Sequence, residues 1–170
     1  MSQQLVEAML KDKALFEDVF TAFYTGETEK LAHRGGHLLG RVFKKKPEWL
    51  YPKIELLFEK MTAPPCPTFR WHVLYYLSHT KYDQVHDGLA ANYAFQELEN
   101  RGNKPATKNT ALRLLEKICK RNPELIPEFK MYLQELIVYE RRTLVRKAKS
   151  QIELLEKWEA VKEYLLRIID

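Results

Sequence analysis

The chain has 170 residues, 45% of them hydrophobic and 30% charged, with a formal net charge of +5. That balance excludes a disordered chain, and the length suits a single domain, 1–170, able to bury a real core. Six glycines leave little material for the tight turns of an all-β chain, no stretch reaches the roughly 18 apolar residues of a membrane span, and the modest charge permits an anionic partner without requiring one.

The opening residues, Met1-Ser2-Gln3-Gln4, lack the basic region and apolar run of a secretion signal, and the expected compartment is the cytoplasm. Asp12 is placed to cap a helix whose apolar positions Leu15, Phe16, Val19, Phe20 and Phe23 recur at three- and four-residue steps. Thr25-Gly26-Glu27-Thr28 breaks that helix. The next one carries Leu31, Leu38, Leu39, Val42 and Phe43 and ends on Lys44-Lys45-Lys46, cations suited to the negative end of a helix dipole. Pro47 fits the first position of a further helix, where its missing N–H costs nothing. That helix runs through Trp49, Leu50, Ile54, Leu57, Phe58 and Met61 and stops at Pro64-Pro65-Cys66-Pro67.

A helix from about Thr68 carries Trp71, Leu74, Tyr75 and Leu77, and Asp83 caps another that reaches about Glu99. Asn100-Arg101-Gly102-Asn103 is a loop, and Pro105 opens the helix of Leu112, Leu115 and Ile118. Asn122-Pro123-Glu124 reads as an N-cap, a first-position proline and a first-turn acid, leading a helix to about Glu140. A last helix spans Thr143 to Ile169. No segment alternates apolar and polar residues between turn signals, so the fold class is all-α. Cys66 and Cys119 form no CxxC pair and read as packing cysteines of a reducing compartment.

The strongest signal is internal repetition. Leu38 to Leu50 matches Leu114 to Ile126 without a gap at an offset of 76 residues, apolar on apolar, basic on basic, Pro47-Glu48 on Pro123-Glu124. A second proline follows in each copy, Pro52 and Pro127, one residue out of step. At half that spacing, 38 residues, Arg70 precedes Lys108, Val73 precedes Ala111, and Tyr76-Leu77 precede Leu114-Leu115. This middle copy lacks the Pro-Glu hinge.

A period near 38 residues built from two helices resembles the HEAT/armadillo superfamily. Arg142-Thr143-Leu144-Val145-Arg146-Lys147-Ala148 resembles the Val-Arg…Ala opening of a HEAT first helix, although Ala148 falls closer to Arg146 than that pattern prefers. The resemblance covers roughly residues 28 to 157, and the whole chain is similar to small uncharacterised bacterial HEAT-like proteins. It implies a right-handed α–α superhelix, a solenoid of about four antiparallel helix pairs, in which stacking buries the apolar face each pair leaves open. The last helix, with Leu154, Leu155, Trp158, Val161, Tyr164, Leu165, Ile168 and Ile169 in a broad stripe, either closes that stack or pairs with a second copy as a homodimer.

Chemistry-bearing patterns are sparse. His33 and His37, four residues apart, can share one helix face and one metal, but no carboxylate accompanies them as in HExxH, and the His-Glu pairs of the di-iron HEAT-like hydroxylases are absent. They read as structural or surface histidines. His72, His79 and His86 follow at steps of seven, interrupted by a turn from Ser78 to Asp83. Gly35-Gly36 inside a helix costs roughly 1 kcal/mol per glycine, and close approach of a neighbouring helix is the expected compensation. No strand precedes them and no GxGxxG or GK[ST] pattern follows, so they do not cradle a phosphate. No catalytic set, cofactor or metal is expected.

Lys44-Lys45-Lys46 and the run Arg141, Arg142, Arg146, Lys147, Lys149 are the two basic clusters. They read as helix-end cations and a solvated face, or as contacts along a nucleic-acid backbone. HEAT-like DNA glycosylases that excise alkylated bases give that second reading a precedent, but no motif carries their catalytic acid onto Trp71, Tyr75, Tyr76 or Asp83. The expected function is therefore a non-catalytic protein–protein interaction scaffold, with nucleic-acid binding or base repair as the alternative. Arg34, Arg41, Arg70, Trp71, Arg141, Arg142, Arg146 and Lys147 are the candidate contact residues, since arginines beside aromatics are frequent interface anchors.

Overall fold

Short polar side chains and prolines set where each helix begins. The computed structural model describes residues 2–26, 28–62 and 67–169. Among them are nine α-helices and no strand: α1 (Ser2–Lys11), α2 (Lys13–Thr25), α3 (Glu29–Lys45), α4 (Ile54–Thr62), α5 (Pro67–His79), α6 (Asp87–Glu99), α7 (Pro105–Cys119), α8 (Ile126–Tyr139) and α9 (Arg142–Ile169). The all-α expectation holds. Glu27 and Cys66 lie outside the described residues, as does most of the Pro64–Pro67 stop.

Asp12 accepts the backbone N–H groups of Ala14 and Leu15 at 2.9 and 3.3 Å, satisfying two donors that the first turn of α2 leaves without carbonyl partners. Gly26 closes α2 at φ +37°, a left-handed conformation that a side chain disfavours. Thr28 caps α3 through a 3.2 Å bond from the Leu31 N–H. The sequence did not announce helix α1. It is held by packing, burying Val6 and Met9 in contact with α2 and α3.

The two Pro-Glu joints correct the expectation that each opens an α-helix directly. After α3, Pro47–Trp49 and Tyr51–Lys53 form 3-10 turns, and α4 begins only at Ile54. Pro52 has no N–H to bond four residues back, so the α-helical ladder cannot start before it. After α7, Pro123–Leu125 is a 3-10 turn and α8 starts at Ile126, with Pro127 in its first turn. Asn122 does not act as a side-chain cap here; its amide donates back to the Ile118 carbonyl at 3.3 Å.

The chain forms two compact units, Met1–Asn92 and Tyr93–Asp170. In the first, α1, α2 and α3 pack together and α5 lies against α3. Its core is aromatic: Phe23 stacks on Phe69 with centroids 4.8 Å apart, and Phe43 meets Tyr76 edge-on at 5.0 Å. In the second, α9 packs on α8 and α7, and the core is mostly aliphatic, with Leu112, Leu115, Ile118, Leu133, Leu144, Ala148 and Leu155 fully or almost fully buried beside Phe129. That unit also buries Lys108, whose ammonium is paired with Glu140.

Glycines bring α3 and α5 together. A Cβ at Gly36 would fall inside the van der Waals envelope of the His72 ring, and one at Gly40 would meet Tyr75 Cε1 at 3.1 Å. Gly35 backs onto Phe23 of α2, where a Cβ would lie 3.3 Å from the Phe23 Cβ. The helix-propensity cost of Gly35 and Gly36 is thus offset by close approach, as the sequence suggested.

Cys119 is a buried free thiol, its pKa pushed up to about 12 chiefly by burial. Among the described residues no helix is long and apolar enough to cross a membrane. The terminal stripe is split: Leu155 is fully buried and Trp158 half-buried, whereas Val161, Tyr164, Leu165 and Ile168 are each more than half exposed.

Candidate functional site

Two places collect chemistry-bearing side chains, one in each unit. In the first unit, α3 carries His33 and His37 one turn apart on its exposed face, and α5 carries His72 into the space opened by Gly36. One ligating nitrogen from each of the three rings lies within 4.8 Å of the other two. Among the described residues this is the one group of three or more such ligands. The rings of His33 and His37 are 4.5 Å apart and perpendicular, and His37 and His72 are 4.9 Å apart and also perpendicular.

His72 is fully buried, with neither ring nitrogen hydrogen-bonded. Leaving a buried polar group without a partner costs about 1–3 kcal/mol. Its pKa is depressed to about 3, first by burial and then by His37 and His33; the His33 carbonyl pulls the other way without forming a hydrogen bond. The His37 pKa is also lowered, by burial, by His33 and by Arg41. All three causes favour the neutral imidazole, the form with a free lone pair. His79 and His86 stand apart: α5 ends at His79, and His86 lies in a separate 3-10 turn against Phe58.

An aromatic row continues from the cluster along α5. Trp71 contacts His37 at 5.6 Å and stacks on Tyr75 at 5.3 Å, and Tyr75 lies 4.2 Å from His79. Lys44, from the end of α3, donates to the Tyr75 hydroxyl at 2.7 Å. Of the residues expected from sequence, Arg41 and Trp71 therefore border the histidines, Arg70 is half-buried on α5, and Arg34 is exposed on α3.

In the second unit, a cleft of about 860 Å³ runs between α7 and α9. Arg146, Lys147 and Lys157 line it with Asn109, Ser150 and Gln151, over an apolar floor that includes Ala106 and Leu154. Glu116 and Glu153 also face it. The Glu116 carboxylate is engaged by Lys120 at 3.2 Å and by Gln151 at 3.3 Å. The Lys147 pKa is lowered by burial and by Arg113, with Glu116 opposing. Arg146 and Lys147 are thus joined in one groove, while Arg141 and Arg142 remain exposed at the start of α9. Lys44-Lys45-Lys46 belongs to the other unit.

His72 joining His33 and His37 is the part of this picture that sequence reasoning missed. The readable signal was Gly36, a helical position without a side chain, 36 residues ahead of a large ring on a facing helix.

No curated protein and no solved structure matches the chain. A family described as a HEAT repeat domain matches residues 1–154, which takes in both Pro-Glu joints, both glycine-bearing turns of α3 and most of the α7–α9 groove. With the helix pairs, the repeated joint and the 76-residue offset, that match settles the kinship: the chain belongs to the HEAT repeat domain family.

Proposed function

We propose that this HEAT repeat protein is a protein-interaction scaffold whose α7–α9 groove receives a carboxylate-bearing segment of a partner protein. The observation that carries this reading is the groove's lining. Arg146, Lys147 and Lys157 have no ion pair among the described residues, and Glu116 is already engaged within the unit. An acidic segment entering here relieves the mutual repulsion of Lys147 and Arg113 and covers the apolar floor. The buried thiol of Cys119 suits a reducing compartment, and the cytoplasm is the location in this reading.

The test is a peptide array of acidic and charge-matched neutral segments, probed with the wild type and with Arg146→Glu/Lys147→Glu. Selective capture of acidic segments that the double variant loses is the expected result. Equal capture by both proteins overturns the groove assignment. Tight binding to mixed single- and double-stranded DNA or RNA that falls steeply with salt, without acidic-peptide binding, replaces the reading with the nucleic-acid one.

A second reading attaches to the end of α9, where four large apolar side chains stay exposed beyond Trp158. Pairing of this stripe with a second copy of the chain would cover it, and sizing across a concentration series reads that directly.

A further inference from the structure

A buried imidazole with two unpartnered nitrogens is an expense that a stable core does not normally carry. Ring packing against Phe23, Trp71 and Tyr76 explains why the carbon edges of His72 are buried, since the centroids lie 5.9, 4.6 and 5.9 Å away. It leaves the nitrogens unexplained. Nothing on α5 requires a histidine for packing alone, and Gly36 gives up a side chain to admit this ring.

The surroundings of His72 are specific. Two more imidazoles face it from α3, an arrangement that four-residue spacing on a helix produces naturally. His37 and His72 are biased to the neutral form, and among the described residues no carboxylate joins the cluster. Neutral nitrogen donors select late first-row divalent ions over magnesium or calcium, which favour oxygen.

We propose that His33, His37 and His72 form a site for a zinc-class divalent cation, with a fourth position left open at the exposed edge of α3. Tetrahedral zinc with Zn–N bonds of about 2.0–2.1 Å needs donors roughly 3.3 Å apart. The three nitrogens lie within 4.8 Å of one another, so closure asks only for rotation of the exposed His33 and His37 rings toward the fixed His72. The buried ring supplies the rigid ligand and the two surface rings close on the ion. Three histidines leave one coordination position, which water fills or a donor atom of a docked partner replaces. Trp71, in contact with both His37 and His72, reports occupancy.

The experiment titrates untagged, chelator-treated protein with Zn2+ alone by calorimetry. It repeats the titration with Co2+, whose visible absorption distinguishes tetrahedral nitrogen ligation from an aqueous ion. One ion per chain, a tetrahedral Co2+ spectrum, and a weakening of at least about 100-fold in each of His33→Ala and His37→Ala are expected. Both residues are exposed, so these variants keep the fold, and His72→Phe keeps an aromatic ring, somewhat larger, while removing the donors. His86→Ala, outside the cluster, should bind like the wild type. Failure to bind Zn2+, or equal binding in the His37→Ala variant, overturns the site. Because the groove of the second unit is untouched by these substitutions, the acidic-peptide experiment and this one fail independently.

Discussion

The two helix pairs α3–α5 and α7–α9 stand at a 76-residue offset and pack by opposite distributions of volume. In the first, the small residue is on the leading helix, Gly36, and the large ring of His72 is on the facing one. At the same offset the second pair has Leu112 on the leading helix and Ala148 on the facing one, both fully buried. Yet the hydrogen bond across the pair is kept. The Gly36 carbonyl accepts from the Tyr76 hydroxyl at 2.8 Å, and the Leu112 carbonyl accepts from the Gln151 amide at 3.1 Å. One backbone arrangement thus supports two interiors, and exchanging which side is bulky turns an aliphatic contact into a histidine cluster.

The sharpest way to break the comparison is through charge. Lys108 is buried in the second unit where the first buries Ala32 at the same offset. Its charge is balanced by the Glu140 carboxylate. Glu140→Ala strands a buried ammonium and should cost about 3–5 kcal/mol, read as a drop in the urea midpoint, whereas Lys108→Met/Glu140→Leu should cost far less. A shift below about 1 kcal/mol in the single variant would mean that Lys108 reaches water.

Volume gives the next largest effect. Gly36→Leu, which writes the second copy's residue into the first, drives a side chain into the His72 ring and should destabilise by about 1–3 kcal/mol. Adding His72→Ala completes the exchange, and the double variant should recover more than half of that loss. No recovery would show that the two pairs differ in backbone spacing and not only in side-chain volume.

An effect of about 2 kcal/mol is one of pH. His72 binds a proton in the unfolded chain near its ordinary value of 6.5 but in the folded protein only near 3. Below 6.5 the unfolded state therefore takes up more protons, and stability falls as pH drops toward 3. For metal-free protein, moving from pH 7 to 5 should lose about that 2 kcal/mol through this ring. In His72→Phe that share of the acid loss should vanish, with chemical denaturation at the two pH values as the measurement.

Much of the architecture was legible because it is written locally. Asp12 and Pro105 act within a turn of their own position, and the Pro-Glu joint recurs at a fixed offset that no structure is needed to see. What escaped the sequence depends on partners far along the chain. Helix α1 is stabilised by Val6 and Met9, buried where α1 packs on other helices. Lys108 stood in the sequence only as the repeat partner of Arg70, and its burial depends on Glu140, 32 residues later. Pro52 lies next to the Pro47 joint, yet its effect depends on which carbonyl four residues back goes unbonded, and the helix start moved to Ile54. The histidines show the same limit: the i, i+4 pair was visible, and the third ligand was hidden in a different helix.

The last helix carries a consequence of its own. From Ala160 onward every described side chain of α9 is exposed. A helix of 28 residues is about 42 Å long, so its final stretch is a straight arm held at its base by Leu155, by the Lys130–Glu159 ion pair and by Lys120 over the Trp158 ring. Anything joined in continuous helical register to that arm would turn by about 100° for each residue added or removed. The arm is a protractor: a probe or enzyme fused to it could be aimed at a chosen bearing by counting residues.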